Sequence, residues 1–105
     1  MIADRLFERF PCDEIYGLHN LPGLVGRGVM LDMAKFYGVD MVAEGKAYTA
    51  DDIKAAAQKQ GVELREGDVV LFNSNWMNLL DGDSPDPKTF GAIEPGLGVS
   101  GAEYL

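Results

Sequence analysis

The sequence predicts one domain of the α/β (α+β) class, and three segments carry that expectation. Residues 25–33 and 69–72 are apolar runs bounded by turn residues, the composition of strands buried in a sheet. Between them, residues 49–60 read as a helix with a start signal and a stop signal. A chain of 105 residues holds one such domain and not two.

Taken in order, residues 2–10 place Ile2, Leu6, Phe7 and Phe10 on one helical face, with Asp4, Glu8 and Arg9 mostly on the other. This amphipathic helix stops before Pro11, because proline restricts the residue preceding it. Residues 11–24 carry Pro11, Gly17, Asn20, Pro22 and Gly23 and read as loop, with one turn near Ile15. In the strand at 25–33, Met30 is as apolar as Val29 and Leu31, so both faces are expected to be covered. Residues 34–48 read as irregular, broken at Gly38 and Gly45, with a short strand at 39–42.

Thr49 is the expected N-cap of the next helix. Its hydroxyl can accept from the first turn, where Asp51 and Asp52 add favourable negative charge. Gly61 is the expected left-handed terminator. Residues 62–64 are extended, 65–68 form a turn and 69–72 form a buried strand. Residues 77–97 read as a long loop rich in proline and glycine, the kind of segment that is usually functional or poorly ordered when it lies inside a compact domain. Ser100 is a candidate N-cap, with Ala102, Tyr104 and Leu105 opening a helix too short to stand alone. The expectation is a single partial domain over 1–105.

A net charge of −8 and only nine Lys and Arg disfavour nucleic-acid backbones and anionic membrane surfaces. Cys12 is the one cysteine, which excludes an internal disulfide. Asp13 and Glu14 beside it would raise its thiol pKa and oppose a reactive thiolate. No apolar run resembles a signal-peptide core or reaches transmembrane length, so the cytoplasm is the expected compartment.

Candidate chemistry is sparse. His19 is the only histidine, and a zinc site needs three or four ligands from one region. Asp81, Asp83 and Asp86 suggest calcium, but Lys88 and Thr89 stand where further ligands would be needed. Ser74 and Ser100 lack the glycine frame of a nucleophile elbow. Gly23, Gly26 and Gly28 precede a strand, whereas a phosphate loop follows one. Arg27 and Asp32 flank the strand and read as a pair of strand-end charges that could form a salt bridge with each other. Catalytic and metal residues are therefore expected to be absent. Asn73, Asn75 and Trp76 are the candidate ligand-binding residues. Two amides and an aromatic ring leaving a buried strand suit a small-molecule pocket, or else a cap on the core.

Three segments resemble the cyclase family, the metal-dependent hydrolases that include bacterial kynurenine formamidase. They are GRGVMLD at 26–32, the stretch from YTADDI at 48–53 through QGVELREGDVVL at 60–71 to Trp76, and EPGLG at 94–98 followed by AEYL at 102–105. The resemblance spans about residues 15 to 105, and its middle segment is the most specific. It implies a swivelling β/β/α-type fold, here incomplete, and an intracellular homo-oligomer. It also implies zinc or manganese that activates water to open an amide, formamide or cyclic ester. The family's His-x-Gly-Thr-His-x-Asp-type metal run lies N-terminal to the matched part and further ligands lie C-terminal, so no metal ligand transfers to any residue here. Family members often carry Arg-Thr-Gly-Trp where this chain has Asn73, Ser74, Asn75 and Trp76, and only the tryptophan is kept. The expected function is accordingly a cyclase-like domain without hydrolase activity or cofactor of its own. The alternative is an oligomerisation or small-molecule-binding module that pairs with itself or with a metal-bearing partner.

Overall fold

The structure is a computed structural model, and it describes His19 and residues 22–105. The helix expected at 2–10 and the turn near Ile15 lie outside the described residues. The described residues hold both helices and short parallel strands, consistent with the α+β expectation. Strand β1 (Gly28–Asp32) pairs in parallel with β3 (Val69–Asn73), Gly28 opposite Val69 and Asp32 opposite Asn73. A parallel pair cannot be closed by a hairpin. The connection here contains helix α1 (Met33–Tyr37), strand β2 (Ala47–Tyr48) and helix α2 (Ala50–Gln60). Beyond β3 come a 3₁₀ turn (Trp76–Leu79), helix α3 (Pro87–Phe90), strand β4 (Gly96–Leu97) and helix α4 (Val99–Tyr104). Strand β4 pairs in parallel with β2.

Helix α2 forms as the sequence predicts. The Thr49 hydroxyl accepts from Asp52 N at 3.2 Å, and the Asp52 carboxylate accepts from Thr49 N at 3.1 Å, a reciprocal capping box. Gly61 ends the helix at φ 70°, where a side chain would be strained. Ile53, Ala56 and Ala57 are buried against Val29 and Leu31 of β1 and against Met33, Val42 and Tyr48. Val70 and Phe72 of β3 pack on this core from the same face of the sheet.

Several expectations change. Residues 33–37 are helical, not strand end or irregular: Asp32 caps them by accepting from Lys35 N at 3.0 Å, and Gly38 closes them at φ 70°. Residues 39–42 form no strand. Val42 is instead drawn into the core and donates its N–H to Ser74 O at 3.0 Å. The first strand is shorter than residues 25–33, and neither strand is covered on both faces. Met30 is 56%, Val69 48% and Leu71 47% exposed, because no layer of the described residues packs on that side. Residues 77–97 hold short elements of their own. Ser100 lies inside α4, whose N-cap is Gly98, and its hydroxyl accepts from Ala50 N at 3.2 Å, tying α4 to the start of α2.

The expected pairing of Arg27 with Asp32 is also corrected. Arg27 reaches Asp68 instead, Nε to Oδ1 at 2.9 Å and Nη2 to Oδ2 at 2.6 Å, and also donates to Glu63 O at 2.7 Å. A guanidinium matches a carboxylate in this two-point way. The clasp joins the approach to β1 to the turn before β3 and so locks the register of the sheet.

Candidate functional site

In open α/β sheets, ligand sites lie beyond the carboxyl ends of the strands. Here those ends are Asp32 and Asn73, which are register partners. Asn73 Nδ2 donates to Asp32 Oδ1 at 3.2 Å, and Asp32 also caps α1, so one carboxylate organises both the strand end and the helix start.

After Asn73 the chain turns sharply. Asn75 has φ 58°, a left-handed conformation that asparagine tolerates better than most residues. Two local side-chain bonds support it. Asn73 Oδ1 accepts from Asn75 N at 3.4 Å, and Ser74 Oγ accepts from Trp76 N at 3.2 Å. Asn75 Nδ2 donates to Asp40 O at 2.8 Å, fastening the turn to the segment after α1. The Trp76 ring is buried, and its Nε1–H donates to Phe90 O at 3.1 Å, which anchors the end of α3.

The turn borders a depression of about 290 Å³, lined among others by Phe72, Asn75, Trp76, Phe90 and Glu94. The structure brings Asn73, Asn75 and Trp76 to this one place. It also commits most of their polar atoms within the chain: both amide nitrogens and the indole N–H already have acceptors. What the depression offers a ligand is an aromatic wall beside the polar side chain of Asn75 and the acidic side chain of Glu94. These groups favour an apolar molecule with a hydrogen-bond donor, such as an amide N–H.

Behind this wall lies an aromatic stack. Tyr48 is 5.3 Å from Phe72 and 6.3 Å from Tyr37 between ring centroids. Burial pushes both tyrosine hydroxyls above the usual phenol range, and for Tyr37 the neighbouring Asp52 carboxylate adds to the shift. Neither hydroxyl has a well-formed partner among the described residues. At neutral pH both are uncharged and cannot serve as bases. A second depression of about 440 Å³ lies on the other side of Asp32, beside Lys35, Phe36 and Lys59. The Lys59 ammonium sits 5.9 Å from the centre of the Phe36 ring there.

His19 is exposed and forms no part of either depression. Asp86 caps α3 through Thr89 N at 3.0 Å, and its hydrogen bonds to Thr89 hold its pKa below the usual carboxylate range. Among the described residues, no group of three or more His, Cys, Asp or Glu could hold a metal ion. The zinc or manganese that the resemblance implies therefore does not fit the donor set of these residues. No helix among them is long and apolar enough to cross a membrane.

Sequence reasoning overlooked Phe90, Glu94 and Asp40. Glu94 lies in one of the segments that carried the resemblance, which was the available signal. Asp40 acts through its backbone carbonyl, and a side-chain pattern carries no signal for that.

One family model, Cyclase ("Putative cyclase"), matches residues 10–105. The chain belongs to the cyclase family. Neither a curated protein nor a solved structure matches it. The family match contains both strands of the β1–β3 sheet, the capped helix α2 and the turn at Asn75.

Proposed function

We propose that this cyclase-family chain is related to the metal-dependent amide and formamide hydrolases, supplies scaffold and one pocket wall, and has no hydrolase activity by itself. The observation that carries the reading is the donor set. A hydrolase needs several converging ligands, and the described residues offer one exposed histidine away from both depressions and a strand-end turn whose amide nitrogens are spent internally. No catalytic step is assigned to these residues. Trp76 and Phe90 would hold the apolar part of an arylformamide-like ligand, while the Glu94 carboxylate would accept from its N–H. The acidic balance and single cysteine support a cytoplasmic setting away from nucleic acid and membrane surfaces. The test is to incubate the purified chain with zinc or manganese and N-formylkynurenine. No turnover is expected, and clear metal-dependent turnover refutes the reading.

A second reading, an assembly module that pairs with itself or with a metal-bearing partner, is favoured by one observation. The second edge of β3 has no strand partner among the described residues, and such an edge is a template for pairing. The opposite edge, on β1, is closed. Gln60 Oε1 accepts from Asp32 N at 2.6 Å and its Nε2 donates to Met30 O at 3.0 Å, so a side-chain amide stands in for the next strand. Assembly would therefore proceed through β3. Light scattering should show self-association, and a strict monomer at high concentration removes the homo-oligomeric form of this reading.

A further inference from the structure

The depression beside the Trp76 turn combines aromatic rings with one carboxylate. Phe72 reaches it from β3, Trp76 from the 3₁₀ turn and Phe90 from the end of α3. Glu94, in the segment between α3 and β4, is the only charged residue in its lining. No lysine, arginine or histidine borders it.

Three of the chain's other rings are matched by its own lysines. An ammonium group stands 5.2 Å from the ring centre of Tyr37, 4.7 Å from that of Tyr104 and 5.9 Å from that of Phe36. In each contact the negative face of the ring attracts the charge. Among the described residues, no such cation stands over Phe72, Trp76 or Phe90. Glu94 likewise forms no ion pair with a described residue. The rings and the carboxylate of the depression therefore carry a negative potential that the described residues leave unbalanced, in a chain whose net charge of −8 adds to it.

The backbone on either side of Glu94 is fixed. Ile93 O accepts from Gly45 N at 3.0 Å, Pro95 is buried, and Gly96 N donates to Lys46 O at 2.9 Å. Phe90 is held through its carbonyl oxygen, which accepts from Trp76 Nε1 at 3.1 Å. A carboxylate and a ring carried on fixed backbone lose less freedom when a ligand arrives. The volume of about 290 Å³ lies at the low end of the ~300–1,000 Å³ range of small-molecule sites, which limits the ligand to about one ring.

We propose that this depression selects a small organic cation, an ammonium group borne on a single aromatic ring. The ring lies against the aromatic wall of Phe72, Trp76 and Phe90, and the ammonium donates to the Glu94 carboxylate. The proposal rests on the reading of the depression as a ligand pocket, and it sharpens the ligand's donor from a neutral N–H to a charged one. A neutral analogue forgoes the attraction of the rings and the carboxylate for charge, and an anionic analogue is repelled by Glu94.

Trp76 is the only tryptophan, so its fluorescence reports on this place alone. The full chain is titrated at neutral pH and constant ionic strength with benzylammonium, benzyl alcohol and benzoate, which share a ring and differ in charge. Benzylammonium should change the fluorescence saturably and bind about tenfold tighter than benzyl alcohol, with benzoate weakest. Glu94→Gln should weaken benzylammonium by about two- to fivefold and leave benzyl alcohol unchanged. Glu66→Gln removes the same charge outside the depression and should change neither. An unaltered melting midpoint reports that each variant is folded, and the order of the three probes on the native chain needs no variant. Equal binding of benzylammonium and benzyl alcohol, or a preference that survives Glu94→Gln, overturns the proposal and leaves a ligand pocket standing. The absence of a saturable change with all three probes overturns the pocket as well. Both outcomes are independent of the turnover assay on the metal-loaded chain.

Discussion

Gly101 lies where α4 passes over Tyr48, and the space beside it is already filled. A β-carbon built there would stand 2.5 Å from Tyr48 O, 2.9 Å from Ile53 Cδ1 and 2.9 Å from Leu97 Cδ1. Gly101→Ala therefore sets two effects against each other. Alanine favours a helix over glycine by about 1 kcal/mol. Forcing a methyl group into a closed contact typically costs about 1–3 kcal/mol. The leucine and isoleucine ends can give way, but the Tyr48 carbonyl cannot move without disturbing the β2–β4 pair, where it accepts from Gly98 N at 3.0 Å. Because the blocking atom belongs to the backbone, the cost falls at about 2–3 kcal/mol and the steric effect should win, for a net loss of about 1–2 kcal/mol. In a domain of this size, each kcal/mol lowers the melting midpoint by about 4–8 °C. Urea and thermal unfolding followed by circular dichroism measure both quantities. Gly28→Ala is the control, since a β-carbon there meets nothing within 4 Å. It should be neutral or stabilising by up to about 1 kcal/mol. A Gly101→Ala protein as stable as the native chain would refute the packing of α4 on β2.

Further expectations concern the cap, the covered edge and the clasp. Thr49→Ala removes one half of the capping box and should cost about 1 kcal/mol in urea unfolding. Gln60→Leu strips the β1 edge of its amide partner and should cost a similar ~1 kcal/mol, with faster hydrogen exchange at the Asp32 amide. Unchanged exchange there would remove the edge-capping role. For the clasp, hydrogen bonding to Arg27 and then to the Arg65 amide holds Asp68 down to a pKa of about 2. An unfolded aspartate titrates near ~3.9. A depressed folded value means that the stabilisation is complete above that unfolded value, and is lost as pH falls from about 4 through about 2. Asp68→Asn should flatten the pH dependence of the melting midpoint across that window, and an unaltered slope would contradict the pairing.

Much of the central unit was legible without coordinates because its signals are local. Thr49, Asp52 and Gly61 specify both ends of α2 through bonds spanning a few residues. The apolar runs at 28–32 and 69–73 are strands for the same reason, a composition that suits a pleated surface. Helix α1 was missed although its own signals were present: Asp32 and Gly38 cap it as Thr49 and Gly61 cap α2. Five helical residues are too few to show a period, so the apolar run of the preceding strand hid them.

By itself, the sequence determined the α+β class, the capped helix, the scarcity of metal-binding side chains and the grouping of Asn73, Asn75 and Trp76 at a strand end. Tertiary structure alone decided what those residues touch. The partner of Arg27 is 41 positions away at Asp68, and the indole of Trp76 reaches a backbone carbonyl at Phe90. Tertiary structure also decided burial. An apolar run shows that a strand can be covered on both faces, but cover comes from another layer, and the described residues supply only one. Contacts across long separations depend on how the strands pair and on which helix lies over them, and neither property is encoded in any short stretch of chain.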